Sequence, residues 1–157
     1  MPIKCAGAPQ KILYLWSNEW RDRKLPIDIE YVKTGAVMFG VPKYSETLKH
    51  VAQSYNVDVT FKHNLVEVTK DKAIFENLDT KQKIEKPYDF LHIVPPMSPP
   101  EFLRESGITN EAGFVDVDKH TCRHNKYPNI WALGDSSSLP NSKTAAAIFS
   151  QTIALTK

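Results

Sequence analysis

The chain has 157 residues, a formal net charge of +2 and 41% hydrophobic residues, which suits one globular domain of ordinary size. Its 20 basic and 18 acidic side chains are interspersed, so the charge pattern gives no case for a nucleic-acid partner. No apolar run approaches the roughly 20 residues that a helix needs to span a bilayer.

The first part of the chain alternates between helical and strand patterns. Pro9 suits the first position of a helix, and apolar residues at helical spacing extend that helix to about Arg21. Alternating residues predict strands over 27–32 and 57–61. Between these strands we predict a second helix that is capped by Ser45.

The middle of the chain predicts a β-meander followed by one buried strand. Short apolar stretches between residues 65 and 84 are separated by polar turns at Asp71 and Asp79. Residues 90–94 form a continuous apolar run, which is typical of a strand buried in a parallel sheet. His92 within this run is predicted to be a hydrogen-bonded core residue. The order of elements predicts an α/β domain with an inserted meander.

A proline-dense loop follows the meander. Four prolines from Pro95 to Pro100 hold the chain extended and oppose regular strand pairing. Residues 101–105 are predicted to form a short helix, and residues 113–117 a further strand.

The segment after residue 129 has the layout of a cofactor cradle. A short apolar strand, residues 130–133, ends at Gly134 and Asp135, and a helix is predicted to open at residues 145–147. Glycine allows close approach of backbone to a ligand, and a carboxylate accepts hydrogen bonds from hydroxyl groups. The N–H groups at a helix N-terminus favour an anion. Without the neighbouring pattern, a turn-capping role for Asp135 is the simpler interpretation.

Cys5 lies just before the first predicted helix, at the place of the glycine fingerprint of a dinucleotide-binding domain. That fingerprint is absent, and the strand over 27–32 is followed by Lys33 rather than an acidic residue, so NAD binding is disfavoured. The helix N-terminus and the neighbouring Lys4 favour thiolate over thiol at Cys5. An ordinary loop cysteine is the alternative.

The second cysteine, Cys122, lies between two histidines, His120 and His124. These three residues suggest a metal site, but zinc usually takes four ligands, and no further cluster of cysteine or histidine lies nearby in the sequence. Nearby basic residues also oppose a bound cation. We therefore predict no metal and a solvated loop. Two cysteines are too few for a disulfide scaffold and favour a reducing compartment or a redox role.

Several motifs of the chain resemble those of one family, the sulfide:quinone oxidoreductases of the mitochondrial type. The resemblance extends over the whole chain. The motifs are Lys-Cys-Ala-Gly-Ala-Pro-Gln-Lys at 4–11, Phe-Gly-Val at 39–41, Phe-Glu-Asn-Leu at 75–78, His-Ile-Val-Pro-Pro-Met-Ser-Pro-Pro at 92–100, Asn-Ile-Trp-Ala-Leu-Gly-Asp at 129–135 and Ser-Lys-Thr-Ala-Ala-Ala at 142–147.

The resemblance implies that the chain corresponds to the middle of a two-domain flavoprotein. Residues 1–122 would be an incomplete, Rossmann-type dinucleotide-binding domain with a degenerate NAD site, an inserted meander and no first strand. Residues 123–157 would be a returning segment of the FAD-binding domain. The family's Gly-x-Gly-x-x-Gly unit would precede the chain, and its second redox cysteine and membrane-contacting helices would follow residue 157. The isolated chain is therefore expected to be inactive.

The resemblance also implies roles for five residues. Cys5 corresponds to the thiol that takes the sulfur of sulfide as a persulfide, and Asp135 with Gly134 to the motif that holds a ribityl hydroxyl of FAD. Lys143 would place a cation near the pyrimidine end of the flavin, where it stabilises the reduced, anionic form. Pro96 would belong to the loop beside the flavin and the quinone pocket, although rigid spacing explains it nearly as well.

The implied reaction is the FAD-dependent oxidation of hydrogen sulfide, with electrons passed to a quinone at the mitochondrial inner membrane. Ubiquinone is the expected quinone, and the resemblance does not identify the acceptor of the sulfur. Two alternatives stay open: a non-catalytic, truncated interaction or scaffold domain, and another FAD-dependent quinone reductase.

Overall fold

The computed structural model describes residues 5–156, so Lys4, which the prediction for Cys5 invoked, lies outside the described residues. The chain forms two compact units. The first is Gly7–Val94, and the second comprises residues 95–156 together with residues 5–6. The predicted domain boundary between residues 122 and 123 falls inside the second unit and stays a prediction.

The first unit begins with helix α1, Ala8–Asp22, which has a proline in its first turn. This confirms the helix predicted from Pro9 to about Arg21. Its buried face includes Leu13, while Ser17 Oγ donates a hydrogen bond to the Leu13 carbonyl oxygen (2.8 Å). The apolar stripe therefore anchors α1 to the core of this unit.

Two parallel strands and a crossover helix follow α1. Strand β1 is Ile29–Val32, helix α2 is Pro42–Ser54, and strand β2 is Val57–Thr60. β1 and β2 pair in parallel, with Ile29 opposite Val57. This β-α-β order is the one predicted, and it is the unit from which dinucleotide-binding folds are built.

The predicted cap of the second helix is wrong. Helix α2 begins at Pro42, with Val41 at the N-cap, and Ser45 lies buried inside the helix. Proline has a φ that already suits the first helical turn and needs no intrahelical N–H bond there. The helix therefore starts one turn before the serine that the sequence suggested.

The core of the first unit is built around Met38, which is fully buried. It packs in one cluster with three other buried residues, Leu13, Ala52 and Val57. The Met38 carbonyl oxygen accepts hydrogen bonds from Gln10 Nε2 (2.7 Å) and from Lys33 Nζ (3.1 Å). The loop between β1 and α2 is thus tied to α1 by polar contacts as well as by apolar packing.

A three-stranded antiparallel meander completes the regular part of the first unit, as predicted. Its strands are β3, His63–Val68, β4, Lys72–Asn77, and β5, Lys83–Pro87. β4 lies between β3 and β5, and a register shift in the β3–β4 pair falls between Leu65 and Glu67.

The predicted buried strand at residues 90–94 is wrong. Phe90 is 64% exposed, and no strand among the described residues pairs with this segment. The rings of Phe90 and His92 instead lie edge-on to Trp16, with centroids 5.1 Å and 5.3 Å away. His92 is exposed, so its predicted core role is wrong as well. An apolar run forms a strand where a neighbouring strand takes its backbone hydrogen bonds, and this run has none.

The second unit has two helices and many isolated bridges. Helix α3 is Glu101–Arg104, as predicted, and helix α4 is Ala145–Leu155. The predicted strands over 113–117 and 130–133 are single β-bridges, of which Val115–Ser137 is parallel and Arg123–Trp131 antiparallel. The strand predictions are therefore wrong in kind: Val115 and Val117 bridge to different segments, Trp131 is the one bridging residue of the described range 130–133, and no continuous ladder forms. The core contains Leu103, Val115, Val117 and Leu139.

The stability of the first unit should fall at alkaline pH through Tyr31. Burial, and to a lesser extent the nearby Tyr14, raise the pKa of Tyr31 to about 12. In the unfolded chain a tyrosine titrates near pH 10, so above that pH the unfolded chain releases a proton that the folded chain retains. Stability is thus fully present below about pH 10 and declines as the pH approaches 12.

We expect the free energy of unfolding in urea to decline less with pH over this window for Tyr31→Phe than for the wild type. Tyr44→Phe is the matched control, because Tyr44 is 57% exposed. Equal declines for wild type and Tyr31→Phe would contradict the assignment.

Candidate cofactor-binding site

The centre of the site is the turn at Gly134 and Asp135. A short 3-10 helix, Gly134–Ser136, follows extended backbone at Leu133, and Gly134 has a φ of +67°. Ser137 fixes the turn, because both its N–H (3.2 Å) and its Oγ (3.0 Å) donate to the Gly134 carbonyl oxygen. Asp135 is thereby presented from a rigid turn rather than from a mobile loop.

Helix α4 packs closely against this turn through the side chain of Ile148. A Cβ atom at Gly134 would lie 3.0 Å from Ile148 Cδ1 and 3.2 Å from Ile148 Cγ1. The positive φ and the lack of space together select glycine at this position. The turn and the first part of α4 are therefore one packed element.

The N-terminus of α4 is capped by its own threonine. Thr144 is the N-cap residue, and its Oγ1 accepts a hydrogen bond from the Ala147 N–H (3.1 Å). Ala145 and Ala146 are exposed, so no large side chain covers the first turn of the helix. The prediction that residues 145–147 open a helix is confirmed.

Lys143 lies immediately before this helix and is half-buried. Its Nζ donates to the Leu139 carbonyl oxygen (2.9 Å) and lies 5.7 Å from the centroid of the Phe114 ring. Burial lowers the pKa of Lys143, while the negative charge of Asp135 acts in the opposite direction. Lys143 and Asp135, which are separate in the sequence, thus interact electrostatically in the folded unit.

Asp135 itself is partly buried, and one of its carboxylate oxygens, Oδ1, is shielded from solvent. A shielded carboxylate beside a half-buried ammonium can bind a ligand that offers hydroxyl donors and a negative edge. Pro96 is exposed and lies in a loop without regular secondary structure, between Leu91 and Pro100.

Cys5 is a free, half-buried cysteine that precedes α1 by three residues. By its backbone contacts it groups with residues 95–156, the unit that also contains Asp135 and Lys143. All five predicted site residues therefore belong to the second unit, although their roles stay predictions.

Of the two histidines that flank Cys122, His124 has structural partners. His124 is buried: its Nδ1 accepts hydrogen bonds from the N–H groups of Lys126 (2.9 Å) and Tyr127 (3.2 Å), and its Nε2 lies 2.9 Å from the Ile108 carbonyl oxygen. Because Nδ1 is an acceptor, Nε2 carries the proton. Within residues 5–156, no group of three or more His, Cys, Asp or Glu side chains is placed to hold a metal ion.

Cys122 differs from a reactive thiol in its surroundings. Burial, and secondly the negative charge of Asp118, raise the pKa of the Cys122 thiol. Hydrogen bonds from the His120 N–H and then from the Thr121 hydroxyl and N–H lower the pKa of Asp118 and keep it ionised. This environment favours the thiol over the nucleophilic thiolate.

Curated relatives share high sequence identity with the chain. It is 45% identical to the mitochondrial sulfide:quinone oxidoreductase of Mus musculus over 155 residues, which cover 96% of the chain and 34% of that protein. It is also 45% identical over 154 residues to the protein of the same name from Dictyostelium discoideum, and these residues cover 95% of the chain and 34% of that protein. No protein-family model matches the chain.

The chain is a relative of the mitochondrial sulfide:quinone oxidoreductases. The resemblance inferred from its motifs is thereby confirmed. The chain spans about a third of the length of these curated relatives, so the comparison concerns one part of such a protein.

Solved structures show the same fold. The sulfide:quinone oxidoreductase of Aquifex aeolicus matches with a TM-score of 0.80 at 18% identity, covering 88% of this chain and 34% of that one. The thioredoxin reductase of Lactococcus lactis matches with a TM-score of 0.62 at 19% identity, covering 79% and 41%. At such identities the likeness establishes the fold alone, and it confirms the predicted α/β, Rossmann-like class.

Two contributors to the site were missed from the sequence: the Phe114 ring and the Leu139 carbonyl oxygen, both of which contact the Lys143 ammonium. Phe114 was assigned to a strand, where an aromatic residue is expected to pack in a core. No sequence pattern connects it to a lysine in a different segment, and a backbone carbonyl has no sequence signature at all.

The close packing of Gly134 against Ile148 can be measured with a pair of glycine variants. Gly107 also has a positive φ, of +73°, but nothing lies within 4 Å of a Cβ atom placed there. Backbone strain should cost either alanine variant roughly 1–2 kcal/mol. We expect Gly134→Ala to cost about 1 kcal/mol or more beyond Gly107→Ala in the free energy of unfolding, because its Cβ also collides with α4.

The second-site variant Ile148→Val removes the Cδ1 atom and should recover part of that extra cost in the Gly134→Ala background. Equal losses for the two glycine variants in urea denaturation would show that the close approach to α4 contributes nothing.

The reactivity of Cys122 should respond to the charge of Asp118. We expect Asp118→Asn, which retains the Oδ1 acceptor, to speed alkylation of Cys122 by iodoacetamide at pH 8 on the order of twofold. Asp116→Asn is the control, since it changes the net charge equally and Asp116 does not contribute to the Cys122 shift. Peptide mass spectrometry measures the alkylation rate of Cys122. An equal increase of this rate in both variants would exclude a specific effect of Asp118.

Proposed function

We propose that the protein carrying this chain is an FAD-dependent sulfide:quinone oxidoreductase, to which the chain contributes a sulfide-reactive cysteine and part of the FAD site. The observation that supports this most is the 45% identity to the mouse protein of that name across 96% of the chain.

The residues around the Gly134 turn fit FAD. The turn presents a partly buried carboxylate at Asp135, and the exposed Ala145 and Ala146 leave the N-terminus of α4 open to a flat ring. A helix N-terminus and a lysine together favour an electron-rich edge. When bound, FAD supplies a two-electron acceptor that can in turn reduce a quinone.

Within this site, Asp135 would accept a hydrogen bond from a ribityl hydroxyl, and Lys143 would face the pyrimidine edge of the ring. The Leu139 carbonyl oxygen and the charge of Asp135 hold the Lys143 ammonium in place, although burial opposes its charge. Pro96 would line the neighbouring loop that separates the ring from the quinone. A cation at this edge stabilises negative charge on the reduced ring more than on the oxidised ring.

Cys5 is proposed as the sulfide-reactive thiol. In the oxidised protein it would form a disulfide with a second cysteine, which we propose lies after residue 157. Sulfide attacks the sulfur of Cys5, so that a new S–S bond forms while the disulfide bond breaks. Cys5 then carries a persulfide, and the second cysteine leaves as a thiolate with the electron pair that the quinone finally accepts.

Cys122 is a poor candidate for that second cysteine. Burial and Asp118 raise the pKa of its thiol, and its own φ of +58° holds it in a tight turn that Asp118 organises. The leaving sulfur of a disulfide exchange is best when its thiolate is stable.

Ubiquinone is the proposed quinone, and the mitochondrial inner membrane the proposed location, since the curated relatives are named as mitochondrial. Among residues 5–156, no helix has the length and apolar character that crossing a bilayer requires. We propose peripheral attachment to that membrane through a segment beyond residue 157. The proposed partners are hydrogen sulfide, the quinone and a sulfur acceptor.

The proposed function is tested with cysteine variants of the full protein that carries this chain. We expect Cys5→Ser to reduce sulfide-dependent reduction of a soluble ubiquinone analogue at least about a hundredfold, because the disulfide that sulfide attacks can no longer form. Cys122→Ser should retain the rate within about twofold, since that thiol has no role in the step.

The absorbance spectrum of the same preparations reports bound flavin, so loss of activity can be separated from loss of cofactor. A full protein without flavin, or a Cys5→Ser variant with undiminished activity, would overturn the proposal. Flavin reduction by NADH but not by sulfide would favour another quinone reductase instead.

A further inference from the structure

Lys143 occupies an electrostatically unusual position. It lies next to Thr144, the N-cap of α4, and a helix N-terminus carries a partial positive charge that disfavours a nearby cation. Burial adds a second cost, which lowers the pKa of Lys143. Groups that favour the charged form offset these costs, and one of them is the Leu139 carbonyl oxygen, which accepts a hydrogen bond from the ammonium.

The face of the Phe114 ring is a further compensating group. Lys143 Nζ lies 5.7 Å from the ring centroid, within the range over which an aromatic quadrupole attracts an ammonium. The other nearby negative group is Asp135, whose charge acts on Lys143 in the same direction. The lysine is therefore held by an aromatic face from one segment of the unit and by a carbonyl and a carboxylate from another.

The backbone around Phe114 is held by two sets of hydrogen bonds. Its N–H donates to Asn110 Oδ1 (3.2 Å), and its carbonyl oxygen accepts from the Asn110 N–H (2.8 Å). The next residue, Val115, donates to the Ser136 carbonyl oxygen (2.8 Å), directly after the Gly134 turn. The ring is thus carried on backbone that is bonded to the same turn that presents Asp135.

We propose that Phe114 is a positioning residue, whose ring face holds the Lys143 ammonium at the start of α4 so that it meets the anionic edge of the bound cofactor. The proposal deepens the proposed function and, in its second half, rests on it. Phe114 does not touch the cofactor in this scheme. It acts through Lys143, and a flexible, solvated lysine would supply less charge at a fixed point.

The first part of the proposal, that Phe114 holds the Lys143 ammonium, is tested without any cofactor. The rate at which acetic anhydride acetylates the lysines of the full protein is measured across a series of pH values. The reagent attacks the neutral amine, so the midpoint of the rate–pH profile reports the protonation of Lys143, and the plateau reports its accessibility. Phe114→Leu keeps a bulky apolar side chain but removes the aromatic face. We expect its profile to move to lower pH, so that Lys143 reacts roughly two- to fivefold faster below the midpoint.

Phe114→Trp is the conservative variant, since indole is the strongest aromatic partner for a cation, and its midpoint should equal or exceed that of the wild type. Lys119, which is exposed in the same unit, is the internal reference. A change in the plateau with an unchanged midpoint in Phe114→Leu means altered packing and would overturn the proposal. A second variant, Asn110→Ala, should shift the midpoint in the same direction, while Asn110→Asp, which keeps the Oδ1 acceptor, should not.

The second part of the proposal, that Lys143 meets the anionic edge of the cofactor, is tested in the flavin-loaded protein. There we expect the flavin midpoint potential of Phe114→Leu to become more negative, with Phe114→Trp close to the wild type. An unchanged potential beside a shifted acetylation profile would overturn the cofactor half of the proposal. If the full protein holds no flavin, the proposed function and that half fail together, whereas acetylation still decides whether Phe114 positions Lys143.

Discussion

The close packing of Gly134 against Ile148 is the constraint on which the candidate site depends. A glycine at positive φ lets the chain turn sharply after residue 133 and brings α4 against the turn. As a result, Asp135 and the capped start of α4 share one small region of the second unit. Lys143 Nζ donates to the Leu139 carbonyl oxygen within the intervening loop, and the negative charge of Asp135 acts on the same ammonium.

The second unit holds the candidate site together with little regular secondary structure. Its core of four buried apolar residues is surrounded by isolated bridges and by side-chain bonds within turns, such as those of Asn110, Asp118 and His124. Such bonds satisfy backbone groups that a continuous sheet would otherwise satisfy. The first unit is more conventional, since α1, a parallel strand pair, a crossover helix and a meander account for most of its residues.

Apolar side chains are exposed in both units. Leu15 on α1 is 67% exposed and Phe149 on α4 is 70% exposed, and Phe90 in the first unit and Phe102 on α3 are similarly accessible. Exposed apolar patches promote association with other protein surfaces or with further copies.

The sequence by itself determined most helices, the first two strands, the meander and the family resemblance, because these depend on local periodicity, turn residues and short motifs. It also singled out Gly134, Asp135 and Lys143. Two features depended on the tertiary structure, because local periodicity does not contain them. One is whether an apolar run has a neighbouring strand to pair with, and residues 90–94 have none. The other is which groups from distant segments contact a given side chain. The contact of Phe114 with Lys143 belongs to this second class, since it arises from the folding of separate segments around one turn.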